Sequence, residues 1–350
     1  MITKEQLKKC WIEQVSRSNN NADKVLVEKV CYAFLLLEGL ALSSLQFIFK
    51  GGTSLMLHFN STKRLSIDID ILMECEPDNL GEQLCDIAHR QGFLRAVPQN
   101  RNVNSKINKV HYRFFYKSNL FPIDREETVL LDIVFDSNPY QRIERKEILS
   151  PFLPSDSSPA TVLVPSIEDL LGDKLTAFAP NTTGVPFFKS GNSMSMEILK
   201  QLFDIGCLFN ASSDIAIIKQ SFSQVAHTEL KYREVEGGLD VILQDIINTA
   251  LCISTRGAIG VGDFGELQSG IKRVSCFIFS EPFHIERATI AAAKAAYRAA
   301  LIKHGCCQIE KYHGEDVPKI ESFKLSKLNK LQKTNPEAYY YWFLFSQLEI

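Results

Sequence analysis

Two aspartates separated by one residue are the first side chains in this sequence whose spacing suggests chemistry. Asp68 and Asp70 lie in the run SIDIDIL (66–72), where aspartate alternates with isoleucine. Because successive strand side chains point to opposite faces, this alternation predicts both carboxylates on one face and the isoleucines in the core. Adjacent carboxylates repel each other, and a divalent cation such as Mg²⁺ removes the repulsion. The pair alone leaves open a solvated acidic face on an edge strand.

The segment just before these aspartates is typical of a phosphate-binding turn. A short apolar run at 47–49 predicts a strand that turns through two glycines into a helix. Glycine lets the backbone approach a ligand closely, and the first N–H groups of a helix point toward an anion. The residues that would bind phosphate here are Lys50, Gly51, Gly52, Thr53 and Ser54. Two glycines alone more often form an ordinary turn, but their position ahead of the aspartates favours a site for phosphate and metal.

A third carboxylate is needed to bind the attacking group or to take its proton. The run VLLDIVFD (129–136) predicts a strand with Asp132 and Asp136 on one face. Asp132 lies in mid-strand, where a buried carboxylate requires a compensating partner. Asp136 lies at the strand end beside a Ser-Asn-Pro sequence that is typical of a turn. We therefore prefer Asp132 as the third site residue.

Together these elements resemble the nucleotidyltransferase superfamily related to DNA polymerase β. The finer pattern is KGGTSL (50–55), KRLSIDIDI (63–71), DLLGDKLTAF (169–178) and FDIGCLF (203–209). It resembles the AbiEii/AbiGii-type nucleotidyltransferase toxins of bacterial abortive-infection and toxin–antitoxin systems. The resemblance implies an α+β fold, in which a polymerase-β-like core with a mixed sheet flanked by helices precedes a mainly helical C-terminal domain.

Length and composition agree with a two-part chain. At about 100–200 residues per domain, 350 residues predict two domains. Strand patterns precede the Pro- and Ser-rich segment 150–159, and helical patterns follow it. We expect a nucleotidyltransferase core over 1–149, then a linker, and a helical domain over 160–350 that contributes Lys174 and Asp204.

Four further residues are candidates for the site, and three of them have two interpretations. Lys174 falls within an apolar helical stripe, so it must reach past its neighbours to solvent or meet an anion. The resemblance implies an active-site lysine that neutralises triphosphate charge. Helical spacing places Asp204 on a polar, solvated side, and only the resemblance implies that it orients Lys174 or the substrate. Arg64 and Ser66 match the R-x-S element of the family, and Arg64 is either a phosphate clamp or a surface arginine.

The charge balance excludes one class of protein. The chain has 39 Lys+Arg against 41 Asp+Glu, a formal net charge of −2, so it does not bind nucleic acid through global positive charge. Binding through a local basic patch remains an open alternative.

The absence of a long apolar run and of a signal peptide predicts no membrane span and a cytoplasmic location. Nine dispersed cysteines without a CxxC pair predict neither a zinc site nor a redox motif, and we expect them to be small buried residues.

The C-terminal region contains a basic stretch with two interpretations. Five lysines precede the aromatic run 339–342; they are Lys319, Lys324, Lys327, Lys330 and Lys333. Lysines beside aromatic rings suit an RNA-binding arm, but a solvated helix followed by core aromatic residues has the same pattern. The basic residues of the alanine-rich segment, Arg287, Lys294 and Arg298, are equally open to both interpretations.

The resemblance implies a metal-dependent enzyme that transfers a nucleotide from an NTP to an acceptor. Asp68 and Asp70 would hold Mg²⁺ (or Mn²⁺), Asp132 would join a second metal and activate the acceptor hydroxyl, and pyrophosphate would leave. The expected acceptor is RNA, at the tRNA 3′ end, and the expected role is a toxin in phage defence with a cognate antitoxin. Two alternatives are a nucleotidyltransferase for small molecules of the antibiotic type and a catalytically silent partner-binding module.

Overall fold

The structure is a computed structural model that describes residues 1–59, 63–99, 108–121, 125–156 and 158–349. The chain divides into two units. The first consists of Met1–Asn138, Ile143–Ser166 and Cys276–Pro282, and the second of Pro139–Arg142, Ile167–Ser275 and Phe283–Ile350. The first is α+β and the second is mainly helical, and this confirms the predicted fold class.

The first unit contains a five-stranded mixed sheet in the order β1-β2-β5-β4-β3. Its strands are β1 (Ile48–Lys50), β2 (Ile69–Met73), β3 (Arg95–Pro98), β4 (Lys109–Lys117) and β5 (Glu126–Phe135). β2 and β5 are parallel, and the other neighbouring strands are antiparallel. A separate antiparallel pair consists of β6 (Ile143–Glu147) and β7 (Thr161–Pro165). The helices of this unit are α1 (Lys9–Ser18), α2 (Lys24–Ala41), α3 (Gly51–His58) and α4 (Leu80–Gln91).

Alternation along the central strands separates a core face of the sheet from a polar face. Ile69 and Ile71 of β2 and Leu131 and Ile133 of β5 are all fully buried. They belong to one apolar cluster with residues of α2 and α4. The residues between them along each strand, Asp70 and Asp132, are only partly buried. The sequence pattern therefore sets which face carries chemistry.

The segment predicted as a linker belongs to the first unit. Phe152 is fully buried, and its carbonyl oxygen accepts hydrogen bonds from Trp11 Nε1 at 3.0 Å and Cys31 Sγ at 3.3 Å. The predicted boundary at 150–159 is therefore wrong, because its apolar residues anchor a Pro- and Ser-rich turn in the core. The second unit instead begins with Pro139–Arg142 and resumes at Ile167.

The second unit is built from helices with one short hairpin. The helices are α5 (Ile167–Ala177), α6 (Ser195–Ala211), α7 (Ile215–Arg233), α8 (Leu239–Ser254), α9 (Phe264–Val274), α10 (Ile285–His304), α11 (Leu331–Thr334) and α12 (Pro336–Leu348). The hairpin is β8 (Phe188–Lys189) and β9 (Asn192–Ser193), and a 3₁₀ helix spans Phe323–Lys330. α5 crosses α7 closely at Gly172, where an added Cβ would lie 2.7 Å from the backbone nitrogen of Phe222. Among the described residues, no helix is both long and apolar enough to cross a bilayer.

Burial resolves several open interpretations of the C-terminal region. The aromatic run Tyr339–Trp342 is buried, so these rings form core and offer no surface for stacking. Lys294 and Arg298 are buried as well, because the alanine-rich α10 packs against α6, α8 and α12. The lysines between 319 and 333 remain exposed.

The expectation that the cysteines are buried is mostly wrong. Only Cys31 and Cys252 are buried, whereas Cys10, Cys75, Cys85, Cys276 and Cys307 are exposed, and all nine are free thiols. Burial raises the pKa of the Cys31 thiol to about 12, so this residue behaves as a small apolar side chain.

Two buried cations one turn apart on α10 have different partners. Lys294 Nζ lies 2.7 Å from Glu337 Oε1 and 2.9 Å from Asn210 Oδ1. The Arg298 guanidinium carbon lies 4.6 Å from the centroid of the Phe209 ring, and its Nη2 donates to an oxygen of Ser212 at 3.2 Å. Arg298 Nε and Nη1 have no hydrogen-bond partner among the described residues. Burial lowers the pKa of this guanidinium to about 10.

This difference predicts opposite effects of two matched substitutions on stability. Arg298→Met removes a buried charge that lacks a carboxylate partner, so the free energy of unfolding should stay equal or rise by about 1 kcal/mol. Lys294→Met leaves Glu337 without its cation and should lower the free energy of unfolding by about 1–3 kcal/mol. Denaturant unfolding of both variants tests this. A large loss for Arg298→Met with none for Lys294→Met would contradict the interpretation.

Candidate active site

A row of four charged or ionisable residues crosses the polar face of the five-stranded sheet. In the strand register Lys50 of β1 pairs with Asp70 of β2, Asp70 pairs with Asp132 of β5, and Asp132 pairs with His111 of β4. Registered residues on neighbouring strands place their side chains on the same face, with strands about 4.8 Å apart. Two carboxylates therefore lie side by side, with a lysine on one flank and a histidine on the other.

Asp68 extends this row along the chain. It lies just before β2, and its partial burial, with the fully buried Ile69 between it and Asp70, follows strand alternation. Its carbonyl oxygen accepts a hydrogen bond from Thr53 Oγ1 at 2.5 Å. This bond ties the entrance of β2 to the first turn of α3, so the acidic strand and the glycine turn form one local structure.

Gly51 begins α3 and packs directly against the Asp70 carboxylate. Its φ is +78°, in the left-handed region that favours glycine. A Cβ at this position would lie only 2.2 Å from Asp70 Oδ2. The first glycine of the turn is therefore required both by the backbone conformation and by the carboxylate beside it.

The hydroxyl groups of the turn are engaged within the protein. Thr53 and Ser54 are fully buried, and Ser54 Oγ donates to the carbonyl oxygen of Gly51 at 2.8 Å. Thr53 Oγ1 donates to Asp68 and lies 2.9 Å from Ser66 Oγ, which can donate to it in turn. These contacts brace the turn. The groups of Thr53 and Ser54 suited to an anion are therefore the backbone N–H groups at the start of α3 rather than the hydroxyls.

Arg64 is buried beside the second glycine. A Cβ at Gly52 would lie 2.6 Å from Arg64 Nη2 and 3.0 Å from Ser66 Oγ. Arg64 Nη1 donates to the carbonyl oxygen of Leu65 at 3.0 Å, and Arg64 pairs with Ile278 in an isolated β-bridge. Arg64 is thus not a surface arginine, and its guanidinium lies at the start of α3 where an anion would be bound.

His111 is a candidate site residue that the sequence interpretation missed. Its Nδ1 lies 2.6 Å from Asp132 Oδ1, and both side chains are partly buried. This contact gives the mid-strand Asp132 the partner that its burial requires. Asp136, the alternative carboxylate, follows β5 and accepts a hydrogen bond from the backbone nitrogen of Ser137 at 2.7 Å, as a turn residue does.

A second charged pair lies in the helical unit. Lys174 of α5 is buried in its apolar stripe, and its Nζ lies 3.1 Å from Asp204 Oδ2 and 2.8 Å from Gln201 Oε1 on α6. Asp204 is 2% exposed, so its predicted place on a solvated side is wrong. The polar side of α6 that carries Asp204 is covered by α5, and Lys174 supplies the compensating charge.

The donor atoms of the first unit fit a hard divalent cation. Asp68, Asp70 and Asp132 offer carboxylate oxygens, and Asp70 and Asp132 are direct neighbours across two strands. In the described parts of the chain, no group of three or more His, Cys, Asp or Glu side chains is arranged to hold an ion by itself. This donor set suits Mg²⁺ or Mn²⁺ whose remaining ligands are substrate phosphates and water.

The chain is similar to solved structures of two other proteins. The nucleotidyltransferase toxin MenT4 from Mycobacterium tuberculosis H37Rv has 13% sequence identity and a TM-score of 0.52, with 97% of this chain and 99% of that chain covered. JHP933 from Helicobacter pylori has 15% identity and a TM-score of 0.38, with 79% of this chain and 89% of that chain covered. The likeness to MenT4 supports the fold. No curated protein sequence matches the chain.

A family model assigns the chain more specifically. The model for the nucleotidyl transferase AbiEii toxin of type IV toxin–antitoxin systems matches residues 35–258. This span contains all of the motifs described above, from the glycine turn to Asp204. The match covers more than half of the chain and confirms the resemblance drawn from those motifs. The chain belongs to the AbiEii family of nucleotidyltransferase toxins and is a nucleotidyltransferase.

Proposed function

We propose that this nucleotidyltransferase is metal-dependent and transfers a nucleotide from an NTP to RNA, at the tRNA 3′ end. The supporting observation is the strand register that sets Asp70 beside Asp132 at the glycine turn before α3. In such a toxin the transfer would block the RNA and arrest growth in the cytoplasm, as a phage defence controlled by a cognate antitoxin.

The candidate site residues of the first unit fall into three groups with different proposed tasks. The backbone N–H groups at the start of α3, with Lys50 and Arg64, hold the β- and γ-phosphates. Asp68 and Asp70 hold Mg²⁺ or Mn²⁺, and a bound divalent ion neutralises phosphate charge and orients the α-phosphate. Asp132 also binds metal and accepts the proton of the acceptor hydroxyl. That oxygen forms a bond to the α-phosphorus as the bond to pyrophosphate breaks.

In the second unit, Lys174 is proposed to offset negative charge that develops during transfer. Asp204 orients it, because a carboxylate 3.1 Å from a buried ammonium group holds that group in a fixed position. This assignment rests on family membership together with the observed ion pair.

Substituting the site carboxylates tests the proposed chemistry. Asp68→Asn, Asp70→Asn and Asp132→Asn should each reduce transfer of labelled nucleotide to total RNA by at least about a hundredfold, because each removes charge that binds metal or accepts a proton. Asp136→Asn is the matched control from the end of the same strand, and it should retain transfer. Equal activity of Asp132→Asn and Asp136→Asn would contradict the role of Asp132. Labelled small-molecule products without labelled RNA would assign a different acceptor.

Two glycines with nearly the same φ allow the effect of backbone strain to be separated from the effect of the site geometry. Gly51 and Gly92 have φ of +78° and +79°, but nothing lies within 4 Å of a Cβ at Gly92. Alanine at either position should lower the free energy of unfolding by about 1 kcal/mol through backbone strain. Only Gly51→Ala should also abolish nucleotide transfer, because it displaces the Asp70 carboxylate. Retained transfer in Gly51→Ala, with Tm shifts matching those of Gly92→Ala, would contradict the proposed site.

A double substitution separates the structural and catalytic roles of the buried pair. Lys174→Met or Asp204→Leu alone leaves an uncompensated buried charge and should lower the free energy of unfolding by about 3–5 kcal/mol. The double variant should recover most of that stability and still fail to transfer nucleotide. Thermal unfolding and the transfer assay measure the two effects. Recovery of activity together with stability would show that the pair is only structural.

A further inference from the structure

The 3₁₀ helix Phe323–Lys330 sorts its residues into three separate stripes. A 3₁₀ helix has three residues per turn, so residues three apart lie above one another. Leu325 and Leu328 form one stripe and are buried. Lys324, Lys327 and Lys330 form the second, and all three are exposed. The leucine stripe anchors the helix and thereby fixes the lysine stripe on the surface.

In the part of the chain that the structure describes, no carboxylate pairs with the lysine stripe. Lys319 before the helix and Lys333 in α11 are exposed as well. Among the described residues, none of the five lysine ammonium groups takes part in an ion pair or a hydrogen bond; the one side-chain contact to the stripe is from Thr334 Oγ1 to the carbonyl oxygen of Lys330. Glu321 is the one acidic residue between 319 and 333. Repulsion among uncompensated charges opposes folding, and a polyanion relieves it.

The spacing of this stripe suits the backbone of a nucleic acid strand. At about 2.0 Å of rise per residue, successive ammonium groups on the stripe repeat about every 6 Å. Successive phosphates of an extended single strand are separated by a similar distance. Each lysine of the stripe can therefore meet its own phosphate.

An exposed aromatic ring lies at the start of the same helix. Phe323 is 92% exposed, while no other large hydrophobic residue in the described parts exceeds 54%. Exposing a phenyl ring to water is unfavourable, and an unpaired base stacks on such a ring with little dependence on sequence. A ring next to a row of lysines is the combination that single-strand binding surfaces use.

We propose that this lysine stripe and Phe323 bind a single-stranded segment of RNA. Lys324, Lys327 and Lys330 contact successive phosphates, and Phe323 stacks on an unpaired base. The proposal rests on the proposed function in naming RNA as the ligand. It assigns the helical unit its own contact with the acceptor, in addition to the catalytic groups.

Anisotropy of a labelled single-stranded RNA of about 12 nucleotides tests the proposal, with the full chain in EDTA and without NTP. The triple variant Lys324→Gln/Lys327→Gln/Lys330→Gln should bind at least about tenfold more weakly. The slope of log K against log[salt] should become less steep by about 2, because three lysines no longer release counter-ions. The control Lys9→Gln/Lys231→Gln/Lys272→Gln removes the same charge from exposed positions elsewhere and should bind as the wild type does.

Phe323 provides a second, independent measurement. Phe323→Ala should weaken binding about tenfold without changing the salt slope, and Phe323→Trp should restore it, because stacking does not release counter-ions. Absence of RNA binding by the wild type, or equal binding by the two triple variants, would overturn the proposal. A further result would also overturn it: the lysine triple variant binds RNA as the wild type does but no longer binds a poly-glutamate peptide that the wild type binds. That result would assign the stripe to an acidic protein.

The same variants separate this proposal from the proposed function. If RNA binding depends on the stripe but no NTP-dependent transfer occurs, the acceptor chemistry fails while the binding surface stands. If transfer to RNA proceeds and the lysine triple variant leaves the KM for RNA unchanged, the binding surface fails while the enzyme assignment stands.

Discussion

The parallel register of β2 against β5 is the constraint on which the site depends. Ile69 and Ile71 face the same core as Leu131 and Ile133, and all four are fully buried. A slip of one residue would turn every apolar side chain of one strand to the polar face and drive its aspartates into the core. Hydrophobic burial on one face therefore fixes Asp70 beside Asp132 on the other.

The negative charges of two neighbouring carboxylates repel each other, and surrounding groups offset this repulsion. Lys50 and His111 occupy the flanking positions of the same row, and His111 contacts Asp132 at 2.6 Å. The glycine turn adds the N–H groups of the start of α3, with Gly51 shaped around the Asp70 carboxylate. The residues proposed to bind phosphate and the aspartates proposed to bind a cation thus lie together on β1, α3, β2 and the neighbouring strand β5.

Short-range patterns predicted the parts of this unit that depend on alternation and turn chemistry. The strand ending at Lys50, the glycine turn, the acidic strand and the strand with Asp132 all have the predicted type.

His111 could not be predicted, because its contact with Asp132 depends on the register of two strands that meet only in the folded chain. Asp204 was misplaced because a helical wheel describes one helix and not the α5 neighbour that covers it. Phe152 shows the same limit, since a Pro- and Ser-rich turn can still be anchored by one aromatic ring. The lysine stripe at 324–330 depends on a 3₁₀ period that α-helical reasoning does not detect.

The central claim is that the Asp70–Asp132 pair binds a divalent cation together with the triphosphate. Calorimetric titration of the preformed Mn²⁺ complex of a non-hydrolysable NTP into the protein measures this without turnover. Saturable binding by the wild type and by Asp136→Asn, with loss of binding in Asp70→Asn and Asp132→Asn, is the predicted result. Equal binding of the complex by all four proteins would contradict the account, because the carboxylates in register would then not be the metal ligands.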